Sequence, residues 1–202
     1  TMFTLIREML NESTNLVTLE DPVEYDIPGV NQCQINEKTG MTFAAGLRAI
    51  LRQDPDIISV GEIRDGETAQ IAVRAAITGH LVLSTLHTND AVSVIDRLED
   101  IGVEPYLISS ALRGVISQRL VRKICPHCKK AYKPHAEELE MLGMPEDSDA
   151  VFYRGEGCQE CFHTGTRGRR AVFEILTLNS HLRRMVSNKA DSETVKETAL
   201  RE

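Results

Sequence analysis

Short apolar runs alternate with stretches of helical period through the first half of the chain. Met2, Leu5, Ile6 and Met9 fall at helical spacing and predict an amphipathic helix that reads as the inside of a domain. Residues 16–19 predict a strand that ends in Glu20 and Asp21, and Pro22 stops any helix from continuing across that junction. Residues 23–42 have no clear period; the turn signals Pro28-Gly29 and Thr39-Gly40 suggest an irregular excursion, with a hairpin as one form it could take. Thr42 then opens a helix with Phe43, Leu47, Ile50 and Leu51 on one face and Arg48 and Arg52 on the other.

The alternation continues. Residues 57–60 predict a buried strand, followed from about Glu67 by a helix whose stripe is Ala69, Ala72, Val73 and Ala76 and whose end is Thr78-Gly79. Residues 81–86 predict the next strand, and Ala91, Val94, Ile95 and Leu98 a helix capped by Asn89 or Asp90. A further helix is expected over 105–120, carrying Ile108, Leu112, Val115 and Ile116. Strands alternating with helices in this way indicate an α/β domain with a largely parallel sheet covered on both faces. Beyond it, 171–176 reads as a short strand, and 182–186 and 194–200 as small helices. The expected organisation is 1–120, 121–165 and 166–202.

Composition narrows the classes. With 202 residues, 42% hydrophobic and 26% charged, the chain can bury a core and reads as an ordinary soluble protein of the cytosol. Its apolar runs fall far short of the roughly 20 residues that span a bilayer. A net charge of -7 argues against sequence-independent nucleic-acid binding. Aromatic residues make up only 4%, which argues against stacking on single-stranded bases. Charge is nevertheless segregated: residues 113–135 hold seven Lys or Arg and no acid, and 137–149 hold six acids and no base.

Four constellations could carry chemistry. Glu20, Asp21 and Glu24 gather carboxylates at a strand end, suited to a magnesium ion with a bound polyphosphate or, equally, to a solvated turn. Glu62, delivered by an apolar strand in DPDIISVGEIRD, could polarise a water or could pair with Arg64, while Asp65 caps the next helix. His80 and His87 flank one strand, and His87 at its carboxyl end could meet a phosphate oxygen. Cys125-Pro126-His127-Cys128 and Cys158-Gln159-Glu160-Cys161, 29 residues apart, predict a closed tetracysteine zinc site that staples the fold. Cys33 reads as an incidental thiol.

TLEDPVEY, LRQDPDIISVGEIRD and GHLVLSTLHTND, in that order, resemble the Asp box, Walker B segment and His box of the motor ATPases of type II secretion and type IV pilus assembly. The likeness extends through the four cysteines and GRRAVFEIL. It implies a partial RecA-like P-loop ATPase core with a small tetracysteine zinc subdomain and C-terminal helices. It also implies ATP, Mg2+ and structural Zn2+ as cofactors, and a homohexamer at the cytoplasmic face of the inner membrane that meets a membrane platform protein. By position, Glu62 would be the catalytic glutamate. Glu20, Asp21 and Glu24 would lie near magnesium and nucleotide, and His80 and His87 would sense phosphate. Arg48 and Arg52 would reach toward a nucleotide, plausibly a neighbour's.

GxxxxGK[ST] does not occur in these residues. The resemblance places that loop just ahead of Thr1, with further N-terminal domains before it. These 202 residues alone are expected neither to bind ATP tightly nor to hydrolyse it. The tetracysteine module, lacking in retraction motors, points to extension or secretion, with pilus assembly preferred. The alternative is a zinc-stapled fragment that docks through its basic segment on a partner or on anionic lipid.

Overall fold

A computed structural model describes residues 1–201. The chain forms two compact units, Thr1–Ser117 together with the segment from Glu174 onward, and Gln118–Phe173. It leaves the first within one long strand and returns within another.

The first unit is built on four parallel strands in the order β2-β1-β3-β4, where β1 is Leu16–Glu20, β2 Asn31–Gln34, β3 Ile57–Val60 and β4 Leu81–Ser84. Period-two alternation assigns each side chain of β1 and β3 to a face. Val17, Leu19, Ile58 and Val60 enter the main core with Leu47, Ala69, Ala72, Val94 and Ile108 from the helices of one face. Leu16 and Ile57 point the other way, into a smaller cluster with Ile6, Ile27 and the flanking Phe3 and Met9. Helices on both faces follow from these two clusters. α1 (Met2–Met9) covers the smaller one; α2 (Phe43–Ile50), α3 (Gly66–Ile77), α4 (Ser93–Asp100) and α5 (Pro105–Ala111) supply the larger. Leu182, Val186 and Val195, from α7 (Ser180–Ser187) and α8 (Ser192–Arg201), complete it. Between α5 and these, the second unit carries α6 (Ala136–Met141).

Helix starts follow the expected chemistry. The Thr42 hydroxyl accepts from Ala45 N–H at 3.2 Å. Asp65 accepts from Thr68 N–H at 2.8 Å. Ahead of α4, whose N-cap is Val92, Asp90 accepts from the Ser93 hydroxyl at 2.5 Å and from Ser93 N–H at 2.9 Å, and these bonds hold its carboxyl below the usual range, helped by Lys196.

Four expectations are corrected. The excursion after Val23 contains β2, which pairs in parallel with β1; only the isolated bridge Asn36–Met41 is hairpin-like. The helix expected over 105–120 stops at Ala111, because Leu112 turns to extended backbone (ψ 123°) and Gly114 with β-branched Val115 and Ile116 begins β5, Gly114–Ile124. The strand expected over 171–176 is the longer β8, Thr166–Thr177, paired with β5. Arg52 lies in the turn beyond α2 and not on it.

Capping gives a direct test. Asp65→Ala should lower stability by about 1 kcal/mol, read as a shift in denaturant midpoint at unchanged slope; no shift would remove the cap from the account of α3.

Candidate functional site

Parallel pairing brings the carboxyl ends of β1, β3 and β4 to one edge of the sheet, the edge where open α/β sheets bind ligands. Leu19 pairs with Val60, and Val60 with Ser84. The residues that follow these pairs, Glu20, Gly61-Glu62 and Thr85-Leu86-His87, therefore leave the sheet side by side. The approach is close: Gly61 N–H donates to Leu19 O at 2.8 Å, and a Cβ at Gly61 would lie 3.0 Å from that oxygen. The Thr85 hydroxyl donates to Gly61 O at 2.6 Å, and Ile63 N–H donates to Thr85 O at 3.1 Å. These bonds tie the stretch around Glu62 to β4.

Glu62 is 17% exposed and faces two basic side chains. Arg64 donates to its Oε1, and His87 Nε2 lies 3.6 Å from Oε2. The Arg64 guanidinium holds the Glu62 carboxyl below its ordinary value near 4.5; partial burial opposes this, and His87 adds to it. The carboxylate is thus ionised at neutral pH. His87 itself is 90% exposed.

Glu20 is buried on the α1 face of the sheet. Its Oε1 accepts from the Thr18 hydroxyl at 2.6 Å and from Gln32 Nε2 at 2.8 Å, which meets the need of a buried carboxylate for donors. Its Oε2 has no hydrogen-bond partner among the described residues. Asp21 and Glu24 are exposed. Among the described residues, the three acids do not form a cluster of metal-ligand atoms. Gln32 also donates to Tyr25 O at 2.9 Å. The polar run Asn-Gln-Cys-Gln gives β2 no apolar pattern; its signal is the two-residue spacing of Gln32 and Gln34, which lie opposite Thr18 and Glu20 of β1.

His80 sits at the amino end of β4, the opposite edge from Glu62, with Nδ1 3.0 Å from Ala75 O and 3.4 Å from Thr78 Oγ1. It fastens the end of α3. Arg48 pairs with Glu67 at 2.5 Å, both more than half exposed, while Arg52 is exposed with no ion-pair partner among the described residues.

In the second unit, Cys125, Cys128, Cys158 and Cys161 place their sulfurs within 4.8 Å of one another. Cys125 and Cys158 are 3.9 Å apart, Cys128 and Cys161 3.9 Å, and Cys158 and Cys161 3.7 Å. A tetrahedron with metal–sulfur bonds of zinc length has edges of about 3.8 Å, so the donor set fits such an ion; a disulfide needs about 2 Å. Gly157 N–H donates to Cys128 Sγ at 3.3 Å and Cys158 N–H to Cys161 Sγ at 3.2 Å. Burial pushes the Cys128 thiol up to about 11. At Cys161 burial is outweighed by N–H donation from Cys158 and Gly165, which brings the thiol down to about 6.

Over residues 1–202 the sequence matches the family described as Type II/IV secretion system protein, and the chain belongs to that family. It is 52% identical, over its whole length and 23% of the relative's, to the type IV pilus assembly ATPase PilB of Thermus thermophilus. Over 96% of its length and 39% of the relative's, it is 48% identical to the type II secretion system ATPase E of Vibrio cholerae. It thus spans well under half the length of these relatives. Among solved structures it resembles the pilus retraction motor PilT with bound ADP. That match has a TM-score of 0.71 and 32% identity, and covers 99% of this chain and 49% of that one.

The Glu62–Arg64 pair is testable by titration. Arg64→Ala should raise the Glu62 pKa toward its ordinary value. The folded value is depressed, so the stabilisation is present above the ordinary glutamate range and disappears as pH falls through the folded value. Wild type and variant should therefore differ in stability at neutral pH and converge in acid. Identical Glu62 titrations by carboxyl-carbon NMR would refute the pairing.

Proposed function

We propose that the polypeptide containing this chain is an ATP-hydrolysing motor subunit of type IV pilus assembly or type II protein secretion. It works as a homohexamer on a RecA-like core at the cytoplasmic face of the inner membrane, and it passes domain motion to a platform protein there. The observation that carries this reading is the ionised Glu62 at the carboxyl edge of the sheet, beside Glu20 and His87, in a chain with pilus and secretion ATPases as relatives. The loop GxxxxGK[ST] that would cradle the phosphates is not among these residues.

In this reading Glu62 accepts a proton from a water as the water oxygen attacks the γ-phosphorus in line. The bond from that phosphorus to the β–γ bridging oxygen breaks, leaving ADP and phosphate. Arg64 keeps the carboxylate ionised beforehand. His87, exposed at the same edge, can donate to a phosphate oxygen; His80, at the far edge, would act through the end of α3. Magnesium keeps several waters and needs only one or two protein carboxylates, and when bound it neutralises phosphate charge. Glu20 Oε2 and the exposed Asp21 and Glu24 are the oxygens that would hold it. Arg52 is free to reach a neighbouring subunit, whereas Arg48 would have to leave Glu67.

The four cysteines would hold a structural zinc. Among the described residues, the second unit buries Cys125, Pro134, Leu139 and Cys161 as its apolar side chains, so it has little core of its own. Purified chain should carry about one zinc, and Cys158→Ser should lose it together with the ordered amide signals of 118–173. Metal-free protein with four intact thiols and an unchanged spectrum would overturn the assignment. For the motor, Glu62→Gln in the intact polypeptide should abolish hydrolysis and spare ATP binding; turnover retained within about tenfold would remove Glu62 from the base role.

A further inference from the structure

In β5 and β8, Leu178 N–H donates to Arg113 O and Cys125 N–H donates to Gly165 O, each at 3.0 Å, so the strands run antiparallel. The part of this ribbon inside the second unit, 118–124 with 166–173, carries Arg119, Arg122, Lys123, Arg167, Arg169 and Arg170 and no acid. Leu120, Val121, Val172 and Phe173 stand among them, Leu120 and Phe173 each 54% exposed. Consecutive exposed positions on both strands leave both faces open to solvent. A two-stranded ribbon is marginal without something packed on it.

The same unit carries a counterpart. Glu137 and Glu140 are exposed on α6, whose end presents Met141, 86% exposed, and Leu142; Glu146, Asp147 and Asp149 follow, also exposed. None of these five acids has an ion-pair partner among the described residues, and neither do Arg122, Lys123, Arg169 and Arg170. The ion pairs that the unit does form, Lys130–Glu156 and Arg167–Glu160, use other acids.

We propose that this unit docks on a second copy of itself, the basic ribbon of one chain against the acidic α6 segment of another. Each patch combines one sign of charge with exposed apolar side chains, and Arg122, Lys123, Arg169 and Arg170 on the ribbon and the five acids opposite them in sign have no ion-pair partner among the described residues. A head-to-tail contact satisfies both. An anionic membrane could attract the ribbon but would repel the acidic segment and leave Met141 and Leu142 uncovered. The contact does not rest on the ATPase reading, and its failure would leave Glu62 untouched.

The test is charge exchange in the 202-residue chain. By sedimentation velocity the wild type should self-associate at about 0.05 M salt and dissociate toward about 1 M, as the screening length shrinks. Arg169→Glu with Arg170→Glu, and separately Glu137→Lys with Glu140→Lys, should each weaken association about tenfold or more. An equimolar mixture of the two variants should restore it, because reversed ribbon meets reversed helix. Circular dichroism matching wild type checks folding, and Arg169→Gln with Arg170→Gln replaces the ribbon variant if it misfolds. The proposal fails if the wild type is a single chain at low salt or if the mixture associates no better than its parts. It also fails if phosphatidylglycerol vesicles bind the chain through Arg169 and Arg170 while no self-association occurs.

Discussion

The parallel pairing of β1 with β3 is the constraint on which the candidate site depends. Parallel strands all point their carboxyl ends the same way, so residues far apart in sequence emerge at one edge without any loop having to carry them there. The pairing of Leu19 with Val60 sets the heights of Glu20 and Glu62, and a two-residue slip would separate them. Both strands are fully buried, so the register is fixed by packing on two faces.

That explains which parts were legible in the sequence. β1, β3 and β4 announce themselves as apolar runs bounded by turns, and the helices between them have clear stripes. β2 does not: Asn31, Gln32, Cys33 and Gln34 form an edge strand with no fully buried position, so no hydrophobic pattern marks it. The run from Pro105 has helical spacing past Ala111, but Leu178 binds the Arg113 carbonyl, and the chain there becomes one side of a ribbon. Tertiary pairing overrode a local pattern.

Side-chain placement was legible only in part. Asp65 caps α3 as its position suggests, and Glu62 pairs with Arg64 where it leaves the carboxyl edge of the sheet. His80 and His87 look equivalent in sequence, yet a strand of four residues puts them at opposite edges. The tetracysteine cluster was legible from spacing because sulfur ligands need little else. The small unit around it buries Pro134 and Leu139 besides two of the cysteines, little core for its length.

Gly61 has a consequence for how substitutions in this protein will be interpreted. A Cβ there would lie 3.0 Å from the Leu19 carbonyl oxygen, so any side chain asks β1 and β3 to give by a few tenths of an ångström at the point where both deliver their carboxylates. Position 61 offers no functional group, yet a survey of inactivating changes would rank it with the charged residues beside it. Indispensability and chemical participation are separate properties at this edge, and a residue can possess the first because it contributes no side chain.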